Sequence, residues 1–157
     1  MDASYVNPFV QGAQRVFAAI CQETPALGRV FVKSKPYVAS EITVAVCIIG
    51  AFEGEVVFNM REDAGCFLVS RMMMGVPCPD LQDAMAQSAV AELANIISGN
   101  VATIFACKDI TVDITPPKLR FNAVEADFPT AQKVKKVVCV PLQFQNGHIF
   151  EVDVMIP

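Results

Sequence analysis

The chain contains no tryptophan, a single histidine and few charged residues. Charged side chains make up 18% of its 157 residues, and the formal net charge is -4. Because nucleic-acid-binding proteins usually carry a basic face, this balance argues against nucleic acid as a partner. The lone histidine, His148, follows Gly147 in a predicted turn and is expected to be solvated surface. Neither a Ser/His/Asp set nor a phosphate-cradling glycine loop is present, which argues against a small-molecule enzyme.

Targeting and metal-binding patterns are also missing. The N-terminal segment lacks the basic and apolar regions of a signal peptide, and no apolar run reaches the ~20 residues of a membrane span. The six cysteines form no Cys-x-x-Cys or Cys/His cluster, so no metal site is predicted. Their apolar neighbours favour reduced thiols packed as small hydrophobic groups, although the even count leaves disulfides open. These features predict a cytoplasmic protein without a membrane contact.

Hydrophobic residues make up 54% of the sequence, enough to build one core. We therefore expect one domain over residues 1–157. Asn7 and Pro8 suit the N-cap and first position of a helix that ends near Gln22. Further helices are predicted at 62–74 and 81–107. Strands are predicted at 28–38, 42–49, 55–60, 108–115, 119–127, 135–144 and 148–156, the last two joined by a turn at Asn146-Gly147.

The two halves of this pattern are alike. Each has a helix followed by strands that end in a hairpin, and the Val46-Cys47-Ile48 strand is matched by Val138-Cys139-Val140. We interpret the likeness as a degenerate internal duplication, with chance similarity between apolar strands as the alternative. The predicted fold class is α+β, with helices packed on an antiparallel sheet.

A polar stripe runs along the predicted helix at 81–107. At about 100° per residue, Ser88, Glu92 and Asn95 fall within an arc of roughly 60°, opposite the apolar side. The flanking residues are small, including Ala91 and Gly99, whereas an ordinary solvated face more often carries long charged side chains. Small flanks allow another protein to approach closely. A merely solvated helix face is the alternative.

The stripe and its continuation through Ile96-Ile97-Ser98-Gly99-Asn100 resemble the signature helix of the CheC/CheX/FliY phosphatases. The resemblance spans nearly the whole chain and is closer to CheX than to CheC. It is also carried by four further segments: Asn7-Pro8-Phe9, Val56-Val57-Phe58-Asn59-Met60, Met72–Gly75 and Thr115-Pro116-Pro117. It implies a CheC-like fold and an enzyme that hydrolyses the aspartyl phosphate of a CheY-like response regulator.

The resemblance also implies roles for individual residues. Glu92 and Asn95 would be catalytic, with Asn95 positioning the attacking water and Glu92 pairing with a lysine of the regulator. Ser88 and Gly99 would contact the partner, with a hydrogen bond from the Ser88 hydroxyl to its own helix as the equal alternative for Ser88. No cofactor is expected in this chain, since the regulator would supply Mg²⁺. A homodimer is implied as well, and the strongly β-forming final hairpin is the expected subunit contact.

Two alternatives share the same fold. One is a non-catalytic module that binds a response regulator, and the other is an interaction module of a flagellar switch. The first helix carries Asn7, Gln11 and Gln14 at the spacing of Ser88, Glu92 and Asn95. We interpret this stripe as a decayed copy of the active one, with an ordinary exposed face as the alternative; neither makes it a second catalytic site.

Overall fold

An eight-stranded antiparallel sheet forms the centre of the structure, a computed structural model that describes residues 3–157. The strands are β1 (Ala26–Leu27), β2 (Phe31–Ser34), β3 (Ile42–Gly50), β4 (Gly54–Met60), β5 (Val112–Ile114), β6 (Lys118–Phe121), β7 (Lys136–Gln143) and β8 (Ile149–Met155). The helices are α1 (Ala3–Cys21), α2 (Glu62–Met72), α3 (Ala84–Ala106) and α4 (Pro129–Lys133), with a 3₁₀ turn at Glu125–Asp127. The predicted α+β class is therefore confirmed.

The strand order reproduces the internal duplication. The sheet runs β1-β7-β8-β4-β3-β5, with β2 also pairing with β7 and β6 also pairing with β3. The first half, α1 and β1–β4, can be exchanged with the second half, α3 and β5–β8, so that β1 takes the place of β5 and β4 the place of β8. The strand order is then the same, read from the opposite edge, because β8 and β4 are its two central strands. Each half thus contributes short edge strands to the hairpin of the other half. Such a symmetric exchange favours duplication over chance similarity.

The three longer helices cover one face of this sheet. Their apolar sides and the strand residues beneath them form one continuous core that includes Phe9, Phe17, Phe58, Phe105 and Phe150, all buried. The α1 and α3 helices cross closely at Gly12, where an added Cβ would lie 2.7 Å from Val101 Cγ2. Glycine therefore sets the distance between these helices, and α3 lies against the sheet with its other side free.

The second face of the sheet is covered by less chain. The segment before β3 and the short helix α4 lie over it, and Tyr37 and Phe128 meet edge to face with ring centroids 5.4 Å apart. The central strand β4 is consequently buried on both faces along its whole length. This second layer gives the sheet an interior on both sides.

Three predicted features were wrong. The first helix includes Ala3–Asn7, so Asn7 is no N-cap and Pro8 lies inside the helix as a buried residue, while Val6 before it packs in the core. The predicted strand at 119–127 ends at Phe121, because Asn122 adopts a left-handed backbone (φ 51°) and a 3₁₀ turn follows. The final hairpin lies inside the sheet, so β7 and β8 present no free edge.

One helix also passes the length and composition test for a membrane span. It is α3, with a mean hydropathy of 1.4 over 18 residues, although no apolar run of that length was predicted. The same test is passed by core helices of soluble proteins. The buried side of α3 packs on α1, α2 and the sheet and its other side carries Glu92 and Asn95, which accounts for its composition.

Candidate functional site

The α3 helix begins at a well-defined cap. The side chain of Asp83 accepts a hydrogen bond of 3.2 Å from the N–H of Met85, and Gln87 Nε2 donates one of 3.0 Å to the carbonyl of Leu81. Apolar residues then recur at helical spacing on the buried side: Ala86, Val90, Leu93, Ala94, Ile97, Val101, Ile104 and Phe105. The cap and this spacing fix which side of α3 faces solvent.

The predicted polar stripe lies on that exposed side. Ser88, Glu92 and Asn95 are all exposed, as the helical spacing predicted. The three side chains line a shallow groove of about 460 Å³. Its opposite wall is formed by Ile114 at the end of β5 and by the Pro116-Pro117 turn. The structure therefore brings together two segments that the sequence pattern identified separately, the polar stripe of α3 and the Thr115-Pro116-Pro117 turn.

Thr115 holds the second wall in place. Its hydroxyl accepts a hydrogen bond of 2.8 Å from the N–H of Cys47 on β3, and its own N–H donates to the carbonyl of Cys47 at 2.9 Å. The two prolines that follow are conformationally stiff, because each ring fixes the backbone φ angle. Thr115 is therefore bonded to β3 through both its side chain and its backbone, and this fixes the width of the groove beside α3.

Small residues leave the stripe open to another molecule. Gly99 is exposed, and a Cβ added there would meet no atom within 4 Å. Glycine in a helix interior is less favourable than alanine by about 1 kcal/mol, and no close contact within the described chain requires it here. Ala91 lies in the groove itself. The surface around Glu92 and Asn95 therefore offers little steric resistance to a docking protein.

The matching stripe of α1 is built differently. Asn7 and Gln11 are exposed, but Gln14 is half-buried and its Nε2 donates a hydrogen bond of 3.2 Å to the carbonyl of Pro25. Gln14 therefore anchors the chain that leads from α1 into β1. This stripe includes no carboxylate, so it lacks the charge that Glu92 gives to α3.

A buried polar cluster lies on the other face of the sheet, and no sequence pattern predicted it. Asp153 is fully buried, and its Oδ2 accepts hydrogen bonds from Lys33 Nζ at 3.0 Å, Tyr37 Oη at 2.5 Å and Asn59 Nδ2 at 2.7 Å. Lys33 also binds Glu151 at 2.5 Å. Burial, reinforced by the neighbouring Asp153, raises the pKa of the Glu151 carboxyl to about 7.

Potential metal ligands also meet in this cluster. Among residues 3–157, one atom each of Cys139, Glu151 and Asp153 lie within 4.8 Å of one another. The ammonium group of Lys33 already lies on both carboxylates, where a cation would bind. The cluster belongs to the sheet and not to the groove: it joins β2, β4, β7 and β8 and contains no atom of α3.

His148 is more enclosed than predicted. Its ring stacks on Phe67, with centroids 5.2 Å apart, and its Nδ1 lies 4.0 Å from Asp63 Oδ1. His148 and Asp63 border a cavity of about 280 Å³ between α2 and β8. Since this packing explains the position of the ring, His148 provides no support for catalysis there.

Comparison with known proteins identifies the family of this chain. The family model described as chemotaxis phosphatase CheX matches residues 42–142, more than half of the chain. The "CheY-P phosphatase CheX" of Thermotoga maritima is 28% identical over 117 residues, which cover 74% of this chain and 75% of the relative.

Solved structures show the same fold. The CheX chain in the "CheX-CheY-BeF3-Mg+2 complex from Borrelia burgdorferi" superposes with a TM-score of 0.77 and 26% identity, over 97% of both chains. A CheC-like superfamily protein from Shewanella gives a TM-score of 0.78 at 16% identity, over 98% of this chain and 99% of the other.

The duplicated sheet with helices packed on one face defines an α+β protein with a CheC-like fold. The chain belongs to the CheX family of chemotaxis phosphatases.

Proposed function

We propose that this protein hydrolyses the aspartyl phosphate of a CheY-like response regulator by placing α3 against the phosphorylation site. The observation that carries this function is the groove, where Ser88, Glu92 and Asn95 are exposed together on a helix face with small flanking residues. The family match and the names of the relatives from Thermotoga and Borrelia support the same substrate class.

Asn95 positions the attacking water. An aspartyl phosphate has a good leaving group and hydrolyses slowly on its own, so the enzyme gains mainly by holding a water in line with the bond that breaks. A neutral amide suits this task, because it offers one acceptor and two donors. A residue in that role is worth on the order of 10²-fold in rate, or about 2.7 kcal/mol of barrier.

Glu92 fixes the register of the helix on the regulator. Its exposed carboxylate accepts a charge-assisted hydrogen bond from a lysine ammonium at the phosphorylation site. It lies one helical turn from Asn95, so an anchor at Glu92 also orients the amide. Ser88 extends the contact by one further turn, and Gly99 allows the partner's backbone to come close.

The remaining chemistry belongs to the regulator. Mg²⁺ held there would neutralise phosphoryl oxygens, while this chain contributes the helix, the water position and the groove wall.

Residues 1–157 act as one phosphatase domain in the cytoplasm, where six unpaired thiols are stable. The protein forms a homodimer, and the edges available for it are the outer strands β1 and β2 on one side and β5 and β6 on the other, since β7 and β8 lie inside the sheet.

The experiment is the decay of a phosphorylated CheY-like regulator from the same organism, with and without the protein. Wild type is expected to accelerate decay, and Asn95→Ala to abolish most of the acceleration. Gln11→Ala, which removes an exposed amide from the corresponding stripe of α1, is the control and is expected to leave the rate unchanged. Glu92→Gln keeps the side chain's shape but is expected to weaken binding of the regulator, because the lysine contact loses its charge.

A non-catalytic docking module is the second candidate, because an exposed groove with small flanks would serve binding equally well. It predicts that the protein binds the regulator without changing the rate of phosphate loss. Detectable binding with no acceleration would replace the phosphatase by this module for that regulator.

A further inference from the structure

The groove beside α3 has two walls of opposite polarity. On the α3 side it is lined by the polar stripe that includes Glu92 and Asn95. The other side is formed by Ile114, Pro116 and Pro117, and these three residues, the apolar wall, carry no polar side-chain atom. The proposed function assigns a contact with the regulator to each residue of the stripe but none to the apolar wall.

Ile114 is held firmly in place at the end of β5. It pairs with Ile48 of β3 in the sheet, and the next residue, Thr115, is bonded to Cys47 of β3 through its side chain and its backbone. The Ile114 side chain packs partly against the core but is only half-buried, so the rest of it is open to the groove. Because this wall is preformed, little conformational freedom is lost when a partner binds to it.

The neighbouring residues do not share this position. Side chains of adjacent strand residues point to opposite faces of the sheet. Asp113, directly before Ile114, is exposed, and Ile49 of β3 lies opposite Asp113 in the sheet. Ile49 is 47% exposed but does not line the groove. Of these two isoleucines on paired strands, only Ile114 faces the groove beside the active helix.

We propose that the apolar wall receives one apolar side chain of the response regulator, projecting from the surface beside its phosphorylation site, and that Ile114 determines which regulators bind. The inference rests on the proposed function, because that function brings the phosphorylation site to the opposite wall of the same groove. Polarity identifies the occupant. A polar side chain placed against the apolar wall would lose its hydration without gaining a hydrogen bond, whereas an apolar side chain gains by leaving water.

The two walls therefore divide the recognition of the regulator. Every CheY-like regulator presents an aspartyl phosphate to α3, so the polar stripe alone gives little basis for a choice among regulators. An apolar contact outside the phosphorylation site supplies that choice, because an ill-matched side chain is rejected there. The contact of Glu92 weakens as salt screens its charge. The contact of Ile114 is instead marked by a negative heat capacity change of binding.

The test is titration calorimetry of the full-length protein with two CheY-like regulators from the same organism, each carrying a beryllofluoride phosphate mimic. Ile114→Val and Ile114→Thr form a matched pair, because both side chains are β-branched and suit a strand, while only threonine places a hydroxyl on the wall. We expect Ile114→Val to keep its affinity for the preferred regulator within a few-fold of wild type. Ile114→Thr should lower that affinity at least about tenfold, with a less negative heat capacity change and an unchanged salt dependence.

Selectivity and rate provide two further readouts. In Ile114→Thr the affinity for the preferred regulator should fall more than that for the other, so that the ratio of the two affinities narrows. The acceleration of dephosphorylation at saturation should stay within about threefold of wild type, because Ile114 contacts the partner's surface and not the reacting atoms. Ile49→Val and Ile49→Thr make the same exchanges outside the groove and should leave affinity and selectivity unchanged. Urea unfolding verifies that each variant is folded.

Equal affinities of Ile114→Val and Ile114→Thr for the preferred regulator would overturn the inference. So would an equal loss in the two Ile49 variants, or an unchanged ratio of the affinities for the two regulators. A change of oligomeric state in Ile114→Thr, with the affinity for the regulator unaltered, would assign the apolar wall to a second copy of this chain instead. Binding by the wild-type protein without acceleration would remove the phosphatase and leave this inference standing. Acceleration that is indifferent to Ile114, together with unchanged affinity, would remove the inference alone.

Discussion

The hydroxyl of Thr115 accepts a hydrogen bond of 2.8 Å from the backbone N–H of Cys47, and the Thr115 N–H donates to the Cys47 carbonyl at 2.9 Å. This paired contact joins the turn after β5 to strand β3. It places Pro116 and Pro117 across the groove from Glu92 and Asn95. The width of the candidate site therefore depends on a residue that does not itself line the groove.

Replacement of this hydroxyl tests that dependence. Thr115→Val keeps the shape of the side chain but leaves the Cys47 N–H without its acceptor, which is expected to cost about 1 kcal/mol of unfolding free energy. We also expect a several-fold loss of phosphatase rate as the wall loosens. Thr115→Ser retains the hydroxyl and should keep both properties near wild type. Equal loss in the two variants would show that the hydrogen bond does not set the groove.

Two substitutions at Gly99 distinguish an effect on the stability of the fold from an effect on binding of the regulator. Gly99→Ala should raise the unfolding free energy by about 0.5–1 kcal/mol, because the position is helical and the added Cβ enters open space. Gly99→Gln should also fold stably, but its longer side chain projects where the partner approaches. We expect at least a tenfold weaker affinity for the regulator, measured by titration calorimetry. Undiminished affinity in Gly99→Gln would remove this position from the docking surface.

The Glu151 carboxyl predicts a pH dependence of stability. Its pKa is raised from 4.5 to about 7 in the folded protein, so the folded state holds this proton more tightly than the unfolded chain does. The resulting stabilisation is complete below pH 4.5, declines as pH rises toward 7 and is absent above that. After allowance for solvent screening it is on the order of 1–2 kcal/mol.

Urea unfolding between pH 5 and pH 7.5 measures this contribution. Glu151→Gln should remove it, so that the fall in stability across this range becomes shallower than in wild type. Glu53→Gln, at an exposed carboxylate in the β3–β4 turn, serves as the control and should leave the slope unchanged. A slope that is identical in wild type and Glu151→Gln would contradict the raised pKa.

Most of the fold follows from local sequence signals. The β3–β4 and β7–β8 hairpins are marked by strand-forming residues around short turns, and α3 is marked by its apolar spacing. The same spacing places Glu92 and Asn95 on the exposed side without any tertiary information. The site residues on α3 could therefore be selected from the sequence, although their chemical roles still require experiment.

Other features depend on contacts between distant segments. The buried cluster joins Lys33, Asn59 and Asp153, which lie on three strands and are brought together only by the sheet order. In β8, Glu151 and Asp153 alternate with apolar residues, which resembles a solvated strand face. The covering of that face by α4 and the segment before β3 has no local signal. The hydrogen bond between Thr115 and Cys47, 68 residues away, could not be predicted from the sequence for the same reason.

The most direct test of the central claim is the single-turnover decay of a phosphorylated CheY-like regulator at saturating Asn95→Ala, together with the affinity of this variant for the regulator carrying a beryllofluoride phosphate mimic. If Asn95 positions the attacking water, the acceleration at saturation falls on the order of 100-fold while the affinity stays within about threefold of wild type. Retention of the wild-type acceleration would contradict this role for Asn95. Wild-type acceleration at saturation combined with a large loss of affinity would make Asn95 a docking residue instead.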